Sequence, residues 1–391
     1  VAGFRRVLFR SLMSTCLLIG VSFEARVIHV TRMDAPGRHR RIHDDCQPKG
    51  SGFESGILKA PSLSRRGFIG SVLSGVAVTG CMERRARPLS FSLPWGEAAF
   101  HTVNARRFAK EVRGATEGRV DIHVFSGASL GVKGPQSIRA LQENIVNLAD
   151  ISGFQQVGTA PVLGLESLPL LIDSMEELAL LWSRLRFVVN RKFSELGLKV
   201  LYVVPWPQQN IFSKRRLSRP GDLDGLRIRS QAPIMTAFSR ALGMAPIQLT
   251  NPETVPALAT GMIDAVATST STASSQKYWE FLGYTLRTNH LWSSNIVAIN
   301  EGAWEKIAEL DRAIVEQVAE KLEGQFWQIS REEDVKQLQR IEKMGMKTTR
   351  PTTELIEMMR SAARPLWRDF ASSLKPEERV VLKWFIETVQ R

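Results

Sequence analysis

The chain of 391 residues carries 52 Lys+Arg against 39 Asp+Glu, a formal net charge of +13, with 43% hydrophobic residues. Residues 1–81 hold 12 of the basic and 5 of the acidic side chains, so the remainder keeps a net charge of about +6 with the two signs interspersed. No DNA- or RNA-binding motif accompanies the short basic runs at Lys214-Arg215-Arg216 and Arg184/Arg186, which read as solvated faces and exclude a nucleic-acid binder. The mild positive balance favours an anionic ligand instead. All three cysteines (Cys16, Cys46 and Cys81) fall at or before residue 81, so the body has none for an internal disulfide and must be held by its core.

Val1–Gln47 is basic, with an apolar patch at Leu17–Val21 and an arginine- and histidine-rich segment at Arg38–His43, and residues 1–62 are expected to be an upstream extension or a mis-called start, outside the mature protein. Ser64–Cys81 then reads SRRGFIGSVLSGVAVTGC. The pair Arg65-Arg66 with Phe68 behind it, followed by an uncharged run too short to span a bilayer, has the form of a twin-arginine export signal over 63–81. Val78-Thr79-Gly80-Cys81 resembles the lipobox of bacterial lipoproteins, small residues letting a peptidase approach the backbone, so Cys81 is the expected lipidation site.

Beyond a short linker, Leu89–Leu93 alternates as a strand, Ala98–Thr116 places Phe100, Val103, Phe108 and Val112 at helical spacing, and Val120–Val124 alternates again. A helix at Ser137–Asn144 and a strand at Leu148–Ser152 follow. Leu178, Leu181, Leu185 and Val188 then mark a helix over Glu176–Leu196, which leads into an apolar strand at Lys199–Val204. The pattern restarts with a strand at Leu226–Arg229, a helix at Pro233–Leu242, a strand at Ala245–Leu249, a helix at Asn251–Ala259 and strands at Ile263–Ala267 and Ser294–Ile299. This alternation predicts an α/β protein with parallel sheets covered by helices. Glu301–Met344 has no proline and predicts one helix of roughly 66 Å, long enough to span two lobes. Two amphipathic helices, near Thr353–Leu374 and Pro376–Val389, end the chain.

The segment Asp222–Ser269, DLDGLRIRSQAPIMTAFSRALGMAPIQLTNPETVPALATGMIDAVATS, together with Phe108-Ala109-Lys110-Glu111-Val112 and Leu168-Pro169-Leu170, resembles the solute-binding subunit of tripartite ATP-independent periplasmic (TRAP) transporters of the DctP type. The resemblance runs over nearly all of Met82–Arg391. It implies a two-lobed periplasmic-binding-protein fold, type II-like, with the ligand cleft between lobes and a long helix spanning them. The lobes are expected at 87–205 with 294–334, and at 206–293 with 335–391. It also implies a periplasmic, non-enzymatic protein without a cofactor that captures an organic acid and delivers it to small and large permease subunits driven by an ion gradient.

Residue by residue, Arg229 matches the family's ligand-clamping arginine, a planar and permanently charged fork suited to a carboxylate. Asp264 matches the acid of the closing Gly-x-x-Asp pattern, and Thr268 falls where many members place a ligand-contacting asparagine. Gln209 replaces a second arginine and Asn251 replaces an aromatic ring, departures that favour a monocarboxylate with neutral polar groups over a dicarboxylate or sialic acid. Trp95, Trp206 and Trp292 fall where the family's cleft walls lie, with core packing as the competing role of each.

Two other readings stay open on the residues. One is a periplasmic lipoprotein that reports ligand occupancy to a sensor. The other is a serine hydrolase, because Gly127-Ala128-Ser129-Leu130-Gly131 spells G-x-S-x-G; a nucleophile elbow, however, needs a helix to begin at the serine, and Gly131, Gly134 and Pro135 intervene. His101, His123 and His290 are scattered without metal-ligand spacing, and no metal site is expected. His123 alternates out of phase with its apolar neighbours and is expected to face solvent.

Overall fold

The computed structural model describes residues 88–390. The expected extension (1–62) and the signal with Cys81 lie outside them. From the N-terminal side the chain forms β1 (Leu89–Ser92), α1 (Phe100–Ala115), β2 (Ile122–Phe125), α2 (Ser137–Gln142), β3 (Leu148–Ser152), α3 (Met175–Glu195) and β4 (Leu198–Pro205). It continues through β5 (Gln209–Ser213), β6 (Arg227–Ser230), α4 (Pro233–Ala241), β7 (Ala245–Gln248), α5 (Asn251–Ala259), β8 (Ala265–Ser269), α6 (Thr270–Ser275) and β9 (Tyr284–Leu286). The last elements are β10 (Ser294–Asn300), α7 (Glu301–Glu305), α8 (Glu309–Lys343), β11 (Lys347–Thr349), α9 (Thr353–Ser373) and α10 (Pro376–Thr388).

The strands make two sheets, ordered β2-β1-β3-β10-β4 and β11-β9-β5-β8-β6-β7, and each organises a lobe with helices on both faces. Apolar residues on the helix faces drive this. Leu178, Leu181, Leu185 and Val189 of α3 are fully or nearly fully buried in one cluster with Ile151, Val203 and Ile296 of the first sheet. In the second lobe Met235 and Phe238 of α4 bury against Ile228 and Ala265.

The sheets are mixed rather than parallel. β10 runs antiparallel to β3 and β4, and β5 runs antiparallel to β8 and β9. The physical reason is the route of the chain. A strand preceded by its own lobe's helix enters the sheet from the far edge, whereas β5 and β10 arrive from the other lobe and enter at the facing edge. The two connectors that carry the chain across, residues 205–209 and 286–294, pair with each other. Trp206 N–H donates to Ser293 C=O (2.8 Å), Gln209 N–H to Leu291 C=O (3.0 Å) and His290 N–H to Gln209 C=O (3.2 Å).

The third link is α8, of 35 residues and so about 52 Å long. The expected unbroken helix from Glu301 does not form: residues 306–308 break it, and α8 starts from Ala308 in extended backbone. The burial of α8 changes partner along its length. Val315, Val318, Ala319, Leu322 and Phe326 enter the first lobe's core. Glu333, Asp334 and Gln337 instead meet α6 of the second lobe, through Ser271 Oγ to Glu333 (3.2 Å), Thr270 Oγ1 to Asp334 (2.7 Å) and Ser274 Oγ to Gln337 (2.6 Å). The change of lobe thus precedes Glu333, slightly earlier than the expected boundary after 334.

The expected assignment of 335–391 to the second lobe also needs correction at its end. α9 begins in the second lobe, where Leu355, Met359 and Ala363 join the α4 cluster. Its Trp367 Nε1–H then donates to Pro169 C=O (2.9 Å), and α10 buries Val381, Leu382 and Phe385 in the first lobe's core beside α3. An exposed α3 would leave an apolar stripe in water, and α10 covers it.

Candidate functional site

In open α/β sheets ligands collect beyond the carboxyl ends of the parallel strands. Here those ends are the edges from which both connectors leave, so the two lobes share one seam. Across it Lys133 Nζ, on the loop after β2, lies 2.7 Å from Glu253 Oε1 in the first turn of α5. Lys133, helped by Thr250, holds the Glu253 carboxyl far below its usual range, at about 2.

Arg229 sits one residue from the end of β6. It is buried, 4% exposed, because strand alternation turns it away from the α4 core that takes Ile228 and toward the α5–α6 side. Its Nε–H donates to Leu249 C=O (2.9 Å) and its Nη1–H to Ala267 C=O (3.4 Å), and no carboxylate pairs with it among the described residues. Burial pushes its pKa down, opposed by the Tyr278 phenol and the Glu253 carboxylate. Burial likewise pushes the Tyr278 hydroxyl up to about 12. A buried guanidinium held by two carbonyls is an uncompensated positive charge, and an anion with two oxygens is its natural complement. Arg227, two residues earlier, is spent on Asp264 at 2.7 Å, and Lys214 takes that acid's other oxygen.

The other expected site residues are distributed around this charge. Thr268 lies on β8, 6% exposed, and its hydroxyl makes no hydrogen bond among the described residues. Gln209 opens β5, and its Nε2–H donates to Ser293 Oγ (3.2 Å). Asn251 is the first residue of α5, and its Oδ1 already accepts from Gln276 Nε2 (2.5 Å). Trp95 and Trp206 meet edge to face at 4.9 Å at the first sheet's carboxyl edge, packed with Phe100 and His101. Both indole N–H groups are taken, Trp95 by Asp150 (2.9 Å) and Trp206 by Asn295 (2.7 Å), so these rings are anchored into the lobe. Trp292 lies on the second connector within the first lobe's core cluster, and its Nε1–H has no hydrogen-bond partner among the described residues.

Sequence reasoning missed three features. Gln231, directly after β6, is 5% exposed and donates to Gln209 Oε1 (2.5 Å). The Lys133–Glu253 pair joins residues 120 apart in sequence. Asp150 is buried and surrounded by Trp95, Asn295 and His101. A polar residue before a helix-starting Ala-Pro reads as a turn, and nothing local signals the two long-range groupings.

Ser129 lies exposed in a turn with Ala128 at φ 58° and Gly131 at φ 77°. The first helical turn beyond it begins at Gly134, so no nucleophile elbow is formed. Among the described residues no group of three or more His, Cys, Asp or Glu is placed to hold a metal ion, and no helix is long and apolar enough to cross a membrane. His123 is exposed beside Asp121.

Comparison with known proteins agrees with this geometry. A family model described as bacterial extracellular solute-binding protein, family 7 (DctP), matches residues 91–373. A solute-binding protein of Roseobacter denitrificans is 26% identical over 261 residues, 63% of this chain and 79% of that protein. The crystal structure of a Bordetella pertussis extracytoplasmic solute receptor binding pyroglutamic acid superposes with a TM-score of 0.74 at 25% identity, over 77% of this chain and 99% of that one. A marine metagenome TRAP solute-binding protein specific for pyroglutamate superposes with a TM-score of 0.73 at 26% identity, over 78% and 99%. The two lobes, the paired connectors, the long shared helix and the family match agree: the chain belongs to the bacterial extracellular solute-binding proteins of family 7, the DctP-type receptors of TRAP transporters.

Proposed function

We propose that this extracytoplasmic solute receptor captures a compact organic monocarboxylate by closing its lobes on it, with Arg229 as the carboxylate clamp. The observation that carries the reading is the buried Arg229 guanidinium, whose hydrogen-bond partners among the described residues are two backbone carbonyls. Thr268 and Gln209 then supply neutral hydrogen bonds, and the neutral Gln209 in place of a second cation argues against a dicarboxylate. The pyroglutamate of the receptors above, one carboxylate on a small neutral ring, has this character. Asn251 contributes through Nδ2, and Trp95, Trp206 and Trp292 form apolar boundaries of the seam rather than free stacking surfaces.

The bodies that move are residues 88–205 with the first part of α8 and α10, against 206–293 with the remainder of α8 and most of α9. The paired connectors act as the hinge. The ligand passes to TRAP permease subunits, the role is binding without catalysis, and the protein is tethered through a lipidated Cys81 after export by the twin-arginine route. Mass spectrometry of membrane fractions is expected to find a diacylglyceryl-modified N-terminal Cys81, and an unmodified N-terminus elsewhere would refute the tether.

Calorimetric titration with a panel of small carboxylic acids tests the function, and scattering tests closure. The radius of gyration is expected to fall when the bound acid saturates the protein. Lys133→Met, which removes the ion pair across the seam, is expected to weaken binding by no more than about fivefold, since a half-exposed pair contributes about 0.2–1 kcal/mol. An unchanged scattering profile at saturation refutes hinge closure.

A further inference from the structure

We infer that Leu170 is a positioning residue for lobe closure, whose strained backbone is loaded when the lobes come together and relaxes when they part. The inference rests on the reading above that the lobes close. Leu170 has φ 57°, in the left-handed region where Cβ crowds the following carbonyl oxygen, and a bulky side chain there is an outlier. Such strain persists only where surrounding contacts over-determine it, and it collects at switch regions. Here the contacts come from across the lobe boundary. The Leu170 N–H donates to His290 C=O on the second connector (2.9 Å), and Pro169 C=O accepts from Trp367 Nε1–H on α9 (2.9 Å). Three residues on, Asp173 C=O accepts from Asn289 Nδ2–H of the same connector (2.8 Å).

The side chains divide between the lobes in the same way. Leu168 and Leu171 are buried in the first lobe's core. Leu170, between them, packs instead against the second-lobe cluster that holds Met235, Phe238 and Leu355. At this point α9 also changes lobe. Ala363 belongs to the second-lobe cluster, Phe370 and Ala371 pack on the first, Trp367 touches both, and Pro365 lies between. A proline inside a helix removes one intrahelical bond, which gives α9 a place to bend.

In this structure the lobes meet across the seam through Lys133 and Glu253 (2.7 Å). Parting them draws Leu170 away from the second-lobe cluster and frees its peptide to leave the left-handed region. A contribution present in one arrangement and absent from the other shifts the balance between them, whereas one present in both shifts nothing. Leu170 therefore carries two opposed contributions. Its side chain gains packing on closing and its backbone gains strain. Two substitutions separate them. Alanine keeps Cβ and the strain but loses the packing, and glycine loses both, because it takes positive φ without penalty.

Carbodiimide coupling of the full chain, freed of bound acid, reads closure without a ligand. It joins Lys133 to Glu253 by an amide bond only while they meet across the seam. Lys199 and Glu316, 2.7 Å apart within the first lobe, serve as the internal standard. The ratio of the two cross-linked peptides is measured by mass spectrometry. Leu170→Ala is expected to lower this ratio at least about threefold from wild type. Leu170→Gly is expected to raise it about fivefold above Leu170→Ala. A purely structural role would lower the melting temperature of both variants and leave the ratio unchanged. Equal ratios in the two variants, or a Leu170→Ala ratio equal to that of wild type, overturns the inference. If that occurs while wild-type scattering contracts at saturation, closure stands and the role of Leu170 alone falls. If the scattering profile is unchanged, both fall.

Discussion

Arg229→Met is expected to lower affinity for the bound acid by roughly 30- to several-thousand-fold, a loss of about 2–5 kcal/mol. The size follows from burial. With the guanidinium removed, the ligand's carboxylate enters a closed seam without a countercharge, and its desolvation goes uncompensated. Arg229→Lys is expected to be nearly as damaging, because one ammonium cannot reproduce the two-pronged geometry and would abandon Leu249 C=O or Ala267 C=O. Met keeps much of the apolar stem, so the variant is expected to fold with its melting temperature little changed. Thr268→Ala and Gln209→Ala remove neutral bonds and are expected to cost about 0.5–2 kcal/mol each. Calorimetry on these variants checks the order, and an Arg229→Met affinity within about threefold of wild type refutes the clamp.

The second large effect concerns stability against pH and comes from two buried groups, Glu166 and His290, that are not among the proposed ligand contacts. Glu166 is 2% exposed beneath the start of β10, and its pKa is raised from an ordinary 4.5 to about 7. Burial drives it up, although Trp182 Nε1–H (2.6 Å) and the Ser294 N–H (2.5 Å) and hydroxyl (2.8 Å) donate to it. The folded state therefore holds a proton that the unfolded state releases above pH 4.5. Its contribution is fully present below that value and is lost as pH rises through about 7, amounting to about 3 kcal/mol. His290 does the opposite. Burial lowers it from 6.5 to about 3, so its contribution is present above pH 6.5 and is lost as pH falls toward 3. Between pH 4.5 and 6.5 the two slopes oppose each other and the stability curve is expected to be flat with respect to this pair.

Urea unfolding of Glu166→Gln across that range separates the two. The amide stands in for the protonated acid, so the variant is expected to gain on wild type by about 3 kcal/mol between pH 4.5 and 8. His290→Gln removes the opposite slope and flattens the acid limb. Curves parallel to wild type for both variants refute the assignment.

How much of this was legible in the sequence depended on whether the signal was local. The Leu178–Leu181–Leu185 spacing identified α3 because one helix face is buried along its whole length. The segment Thr270–Ser275 carried no periodic signal, yet it is a buried helix, because Glu333, Asp334 and Gln337 of α8 satisfy its hydroxyls from 60 or more residues away. The direction of β5 and β10 was hidden for a similar reason. Strand patterning reports burial and not the edge from which a strand enters. The amphipathic pattern of α10 was readable, but its partner was not, since both lobes offer apolar surface.

The site divides in the same way. Arg229 stands out within its strand motif, and its burial without an acid gives that prominence a physical basis. Trp95 and Trp206 drew attention as aromatic residues near the seam, but their N–H groups are committed to Asp150 and Asn295, which makes them structural supports of the first lobe's edge. Gln231 carried no signal at all, because its contact with Gln209 joins side chains from separate segments of the chain.

The most direct test of the central claim, that Arg229 holds a carboxylate within a closing seam, is native mass spectrometry of the protein as purified from cells, with the released ligand identified after denaturation. Wild-type protein is predicted to carry a small organic acid with a single carboxyl group, and Arg229→Met to emerge empty under the same conditions. A wild-type ligand without a carboxyl group, or equal occupancy of the same ligand in Arg229→Met, would contradict the account.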